Sequence, residues 1–165
     1  MPKPGLRVEI PGFGDLRIQR LVTDYSGTLS CGGKLTAGVQ ERLLRLDELL
    51  DVDVLTSDTF GTVRRELVNI PVRIKVLEGN RHDLQKEEFV TRDCEPRVVA
   101  ALGNGANDAR MLAAVREAGG VAIAVDNGEG CAVPALTSAS LFIRSAADAL
   151  DLLLDADRLK AGLRF

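Results

Sequence analysis

The chain has 165 residues, 21 of them basic and 24 acidic, a formal charge of −3, 45% hydrophobic positions and 4% aromatics with no tryptophan. That length suits one domain over 1–165, and no apolar run of about 18 residues is available to cross a membrane. The slight acidity and the few stacking rings argue against nucleic acid as a partner.

The chain order opens on a β-hairpin. Leu6, Val8 and Ile10 alternate with polar residues, Pro11-Gly12-Phe13-Gly14 supplies a turn, and Leu16, Ile18 and Leu21 continue beyond it. Leu21-Val22-Thr23 forms a short apolar strand ending at Asp24. Val39, Leu43, Leu46 and Leu50 make a helical stripe, with Thr36 as its expected N-cap. Val52, Val54 and Leu55 form a strand that stops at Thr56, and Val63 with Leu67 marks a second helix. Val72, Ile74 and Val76 alternate as a strand, and Leu84 and Phe89 fall in a helix. Val98 to Leu102 is a continuous apolar run, the pattern of a strand covered on both faces. Met111, Leu112, Val115 and Ala118 stripe a helix closed by Gly119-Gly120. Val121 to Val125 is another buried strand, Leu141-Phe142-Ile143 one more, and Leu150, Leu153 and Leu154 open a last helix running past Leu159 and Leu163. Alternation of this kind predicts an α/β fold, a Rossmann-like, doubly wound and mainly parallel sheet with an added N-terminal β-hairpin.

Parallel sheets bind ligands beyond the carboxyl ends of their strands. Three strand ends carry unusual polar sets: Asp24-Tyr25-Ser26-Gly27-Thr28, Thr56-Ser57-Asp58-Thr59, and Gly103-Asn104-Gly105-Ala106-Asn107-Asp108. A carboxylate before a glycine turn can act as a nucleophile or hold a metal. Hydroxyls can donate to an anion, a glycine turn opening a helix offers backbone N–H groups, and Lys86 can neutralise a phosphate. Each set alone has a plainer reading as turn or cap chemistry. The glycine turn is also a poor dinucleotide fingerprint, since Asp108 stands where a third glycine is needed.

Taken in order, the sets resemble the motifs of the haloacid dehalogenase-like superfamily. Asp24 to Thr28 looks like its first motif, Thr56 its second, Lys86 its third, and Gly103 to Asp108 its metal-binding fourth. Within it, the first and second motifs are similar to the phosphorylation domain of P-type ATPases, which carry Asp-Lys-Thr-Gly-Thr and Thr-Gly-Asp at these places. The resemblance implies a Mg²⁺-dependent phosphatase that forms an aspartyl phosphate on Asp24. It implies a catalytic set of Asp24, Ser26, Thr56 and Lys86. Phosphate would contact Thr56, Ser57, Lys86 and Asn107, and the metal would contact Asp24, the Ser26 carbonyl, Asn104 and Asp108.

Two departures qualify those roles. Phosphatases of the superfamily place a second aspartate, the acid and base, where Ser26 stands. A hydroxyl cannot replace it, so slow turnover is expected, with a phosphate-responsive regulatory or binding protein as the alternative. Asn104 also brings no charge where a fourth-motif aspartate is usual. Thr56 follows Asp24 by 32 positions and Lys86 follows Thr56 by 30, which leaves no room for a cap domain. A capless site is expected to take a small phosphorylated substrate or a phosphoprotein, or to be closed by a second copy in a homo-oligomer. The segment Ser30 to Leu35 is expected to be a mobile flap over the site, lined by Cys31. Tyr25 is read as lying against the leaving group or as simple packing, and His82 as a solvated loop residue. The three cysteines, Cys31, Cys94 and Cys131, have no metal-ligand spacing, and the opening residues lack the apolar core of a leader, so a reduced, cytoplasmic setting is expected.

Overall fold

A computed structural model describes residues 1–58 and 61–165, so Thr59 of the second polar set lies outside the described residues. The hairpin forms as expected from β1 (Leu6–Ile10) and β2 (Gly14–Ile18), paired antiparallel as a sheet of its own. Leu21 belongs instead to the next strand, β3 (Arg20–Asp24), which enters the central sheet directly after Gln19.

That sheet has six parallel strands in the order β10-β9-β8-β3-β6-β7. Its other members are β6 (Asp51–Thr56), β7 (Arg73–Val76), β8 (Val99–Gly103), β9 (Val121–Val125) and β10 (Leu141–Ile143). The chain first adds β6 and β7 on one side of β3, then returns to add β8, β9 and β10 on the other. The switch of direction falls between β3 and β8, where such sheets open a crevice at their carboxyl ends.

The helices cover both faces. On one lie α1 (Val39–Asp47), α2 (Val63–Glu66), α6 (Ala146–Leu154) and α7 (Ala156–Leu163), packed over Leu21, Val52, Val54, Ala100 and Leu102. On the other lie α3 (His82–Glu88), α4 (Ala109–Glu117) and α5 (Val133–Ser138), over Val22, Leu55, Ala101 and Ala122. Adjacent strand residues thus feed opposite cores, which is why the strands read as unbroken apolar runs. The hairpin buries Val8, Ile10, Leu16 and Ile18 in the first core, at about 1.5–3 kcal/mol for each large side chain. Its apolar face is therefore satisfied within the chain.

Several local expectations are corrected. The N-cap of α1 is Gly38 in the left-handed region rather than Thr36, whose hydroxyl donates to the Leu29 carbonyl and accepts from Asn127 Nδ2. The C-terminal helix starts at Ala146 and breaks at Asp155, whose carboxylate accepts from the N–H groups of Asp157 and Arg158 and caps α7. Val72 and Val98 fall just outside their strands. Helix α5 carries no sequence stripe: only Ala135 of its residues is buried. His82 is not in a loop but is the first residue of α3.

Candidate functional site

Strand β3 ends at Asp24, and the chain there turns sharply. The N–H groups of Thr28, Leu29 and Ser30 all point to the Tyr25 carbonyl, at 3.2, 2.9 and 3.1 Å. Gly27 makes the turn possible: its φ is +76°, and a Cβ there would collide with the Asn104 side chain. The first and third polar sets are thereby brought into contact across the β3–β8 switch point. The Thr28 hydroxyl lies 3.1 Å from both Asp24 Oδ2 and Asn104 Oδ1 and can donate to either.

Beyond β8 the chain makes a single 3-10 turn, 106–108, before α4. Asp108 is fully buried there. Its Oδ2 accepts from the backbone N–H groups of Asn104 (3.0 Å) and Gly105 (2.9 Å), so the carboxylate is fixed by its own turn. Gly103 has no room for a Cβ, which would overlap the Asp108 side chain. The remaining oxygen, Oδ1, faces Lys86.

Lys86 is the unusual residue. It sits in α3, is 1% exposed, and places Nζ 2.9 Å from Asp24 Oδ1 and 2.7 Å from Asp108 Oδ1. A buried ammonium persists only with close partners. Burial works against its charge, yet Asp108 and Asp24 outweigh that and hold it above the ordinary lysine value. Burial lifts the Asp24 carboxyl from 3.8 to about 6, the Asp108 charge adds to the lift, and Lys86 and Thr28 oppose it. At neutral pH two carboxylates therefore share one ammonium, and the site keeps an excess of negative charge.

That excess and the oxygen-only donors, Asp24, Asp108 and the Asn104 amide, suit a hard divalent cation that keeps several of its waters. Among the described residues no group of three His, Cys, Asp or Glu side chains that could hold a metal ion is found, so the candidate donors are two carboxylates and an amide. Ser26 Oγ is buried without a hydrogen-bond partner among the described residues.

The other residues lie around this centre. Thr56 ends β6 and is buried; its neighbour Leu55 is in register with Asp24, and its Oγ1 accepts from the Asp58 N–H at 2.9 Å. Asp58 in turn caps α2 by accepting from the Val63 N–H. Ser57, just after β6, and Asn107, in the 3-10 turn, are both exposed. Asn104 also ties the site to the loop after β9, donating to the Gly130 carbonyl and accepting, through its own carbonyl, from the Ala132 N–H.

The expected flap is a small hairpin, β4 (Ser30–Cys31) and β5 (Lys34–Leu35), and it is anchored. The Tyr25 and Thr62 hydroxyls both donate to the Gly33 carbonyl, and Leu35 N–H donates to Glu66. Tyr25 is wholly buried, and that burial, with the Glu66 charge, pushes its hydroxyl up to about 12. It packs and ties the hairpin rather than facing a leaving group. Cys31 is exposed beside Gly128. Thr28 was the residue least visible in advance; its only signal was its fixed place four residues after Asp24.

No protein-family model matches the sequence, and no curated protein matches it either. Solved structures do match. The cobalt-bound deoxy-D-mannose-octulosonate 8-phosphate phosphatase of Haemophilus influenzae is 14% identical, with a TM-score of 0.65 over 86% of this chain and 89% of that one. The 3-deoxy-D-manno-octulosonate 8-phosphate phosphatase of Moraxella catarrhalis, solved with magnesium, phosphate and its sugar acid, is 15% identical, with a TM-score of 0.65 over 89% and 94%. A haloacid dehalogenase-like protein of Streptococcus pneumoniae matches at 12% identity and a TM-score of 0.57 over 81% and 97%. At such identities the likeness is one of fold: this chain has the haloacid dehalogenase-like fold, and among the described residues no separate domain is inserted between its strands.

Proposed function

We propose that this chain is a Mg²⁺-dependent phosphatase whose nucleophile is Asp24. The observation that carries the reading is the buried trio of Asp24, Lys86 and Asp108 at the switch point of the sheet. Structures of the same fold solved as phosphatases, one of them with magnesium and phosphate, support it. In this reading Asp24, the Ser26 carbonyl, Asn104 and Asp108 hold Mg²⁺, which when bound screens the carboxylate from the phosphate it approaches.

An Asp24 oxygen attacks phosphorus, the bond from phosphorus to the ester oxygen breaks, and the leaving group takes its proton from water. Lys86, Thr56 and Ser57 hold the phosphoryl oxygens, with Asn107 at the rim. Positioning and charge neutralisation supply most of the rate. Water then attacks the aspartyl phosphate, releasing phosphate and restoring Asp24. Ser26 has no acid to give in the first step and no base for the second, so the intermediate is long-lived, as in the P-type ATPase phosphorylation domain that the first two motifs resemble. With no cap domain to enclose it, the site is read as taking a small phosphate ester or a phosphoprotein.

The test is hydrolysis of an aryl phosphate with Mg²⁺. Replacing Asp24→Asn is expected to remove activity by about three orders of magnitude or more; undiminished activity would end the mechanism. A stoichiometric phosphoprotein without steady turnover would instead favour a phosphate-responsive regulator, for which the lone Ser26 hydroxyl is the supporting observation.

A further inference from the structure

The segments that border Asp24 hold few groups able to give or take a proton. In the turn 24–30 they are Asp24 and Tyr25, in the turn 103–108 Asp108, and at the end of β6 and just beyond it Asp58. Lys86 joins them from α3. Each of Asp24's neighbours is already engaged. The Tyr25 hydroxyl is buried and donates to the Gly33 carbonyl. The Asp58 carboxylate accepts from the Val63 N–H and caps α2. Asp108 is fully buried, with Oδ2 on two N–H groups of its own turn and Oδ1 on Lys86. The Lys86 ammonium is buried between the two carboxylates. The polar side chains left beside Asp24 are hydroxyls and an amide: Thr28, Thr56, Asn104, and Ser26, whose Oγ is buried with no partner among the described residues. None of these exchanges a proton readily near neutral pH.

These neighbours decide which bonds can break at Asp24. An alkoxide leaving a phosphate ester is a strong base, and an acid that hands it a proton contributes about 10²–10⁴-fold. A carboxylate leaving an acyl phosphate is a weak base, protonated only below about pH 4 to 5, and departs without a proton. The second step divides in the same way. Water attacking the aspartyl phosphate must lose a proton, and no base is free to take it. A carboxylate attacks as it stands. Aspartyl phosphate is itself an acyl phosphate, so passing the phosphoryl group from one carboxylate to another conserves the kind of bond.

We propose that this site exchanges phosphoryl groups between carboxylates: it takes one from an acyl phosphate onto Asp24 and returns it to a carboxylate faster than to water. In the first half the bond from an Asp24 oxygen to phosphorus forms, the bond from phosphorus to the acyl oxygen breaks, and the carboxylate leaves with the electron pair. In the return half an incoming carboxylate oxygen takes the phosphorus, and Asp24 leaves with its pair. No proton moves in either half. This rests on the phosphatase reading, in which Asp24 is the nucleophile, and narrows its substrate to an acyl phosphate.

The test combines the full-length chain, Mg²⁺, acetyl phosphate and ¹³C-labelled acetate. Carbon NMR follows label entering acetyl phosphate, and phosphorus NMR follows release of inorganic phosphate, each above the rate without protein. Label is expected to enter about tenfold faster than phosphate is released, and both processes to vanish in Asp24→Asn. Ser26→Asp is expected to speed release and bring that ratio below one. Ethyl phosphate is expected to be cleaved more slowly than acetyl phosphate by about 10²-fold or more. Release of phosphate without exchange in the native chain, or ethyl phosphate cleaved as fast as acetyl phosphate, overturns the proposal and leaves the phosphatase reading standing. If neither acetyl phosphate nor 4-nitrophenyl phosphate is cleaved, and no label is exchanged, the phosphatase reading falls and the proposal with it.

Discussion

Strand β3 contributes to an ion cluster at each end of the sheet, and the two are built differently: at the amino end only Asp53 is buried, at the carboxyl end the whole cluster is. At the amino end, Asp53 is 4% exposed and both its oxygens are used: Oδ1 accepts from Arg73 Nε at 2.8 Å, and Oδ2 from Arg20 and Arg73, each at 3.0 Å. With Asp51 beside them, two arginines face two aspartates, and the charge is compensated. At the carboxyl end two carboxylates face one lysine, and the Asp24 carboxyl is lifted to about 6 because burial and Asp108 penalise its charge. The closed cluster joins three strands. The open one keeps a charge that a proton or a further cation can neutralise, and such uncompensated burial is where chemistry is to be sought.

The difference is broken most severely by Lys86→Ala. Two buried carboxylates would then face each other without a counter-charge, and unfolding free energy should fall by about 3–5 kcal/mol. Mg²⁺ should recover part of the loss in thermal melts; an equal loss with and without Mg²⁺ would argue against a cation site. Ser26→Asp should add the missing acid and base and speed phosphate release about 10²-fold in single-turnover measurements. An unchanged rate would clear Ser26 of limiting turnover. Asp53→Asn at the opposite end should cost about 1–3 kcal/mol in chemical denaturation and leave the Mg²⁺-induced rise in melting temperature intact.

The smallest effect is at the periphery, where Arg42 of α1 holds Asp151 of α6 by two hydrogen bonds, at 2.7 and 3.0 Å. Those bonds keep the Asp151 carboxyl below its usual 3.8. A depressed carboxyl adds stability above the unfolded-state value and loses it as pH falls through the folded-state one. Arg42→Ala should therefore lower the melting temperature slightly at pH 7, and the difference from the native chain should vanish in acid below 3.8.

The two ends were not equally legible. The apolar runs of β3, β8 and β9 announced themselves because both faces of the sheet are covered, and the residues just past them, Asp24 and Asn104 to Asp108, could be read off as a site. Lys86 stood out only through the family resemblance, since nothing local distinguishes a buried lysine from a solvated one. Helix α5 escaped because the short segment from Val133 to Ser138 buries a single alanine. The break at Asp155 escaped because leucines continue on both sides of it, and the capping carboxylate interrupts the backbone without interrupting the pattern. Thr36 was assigned to a cap because its hydroxyl suits one, but the left-handed Gly38 lies closer to the helix and starts it instead. His82 looked solvated between Arg81 and Asp83, yet those two pair with each other, and the ring nitrogen is enclosed on the helix face that carries Lys86.

The central claim is that Asp24 becomes covalently phosphorylated. The direct measurement is intact-mass and peptide mass spectrometry after rapid acid quench of the protein with Mg²⁺ and a phosphate donor such as acetyl phosphate. The account predicts one phosphoryl group per chain, on the peptide containing Asp24, absent in Asp24→Asn and lost more quickly in Ser26→Asp. Turnover without any adduct, or an adduct on another residue, would contradict it.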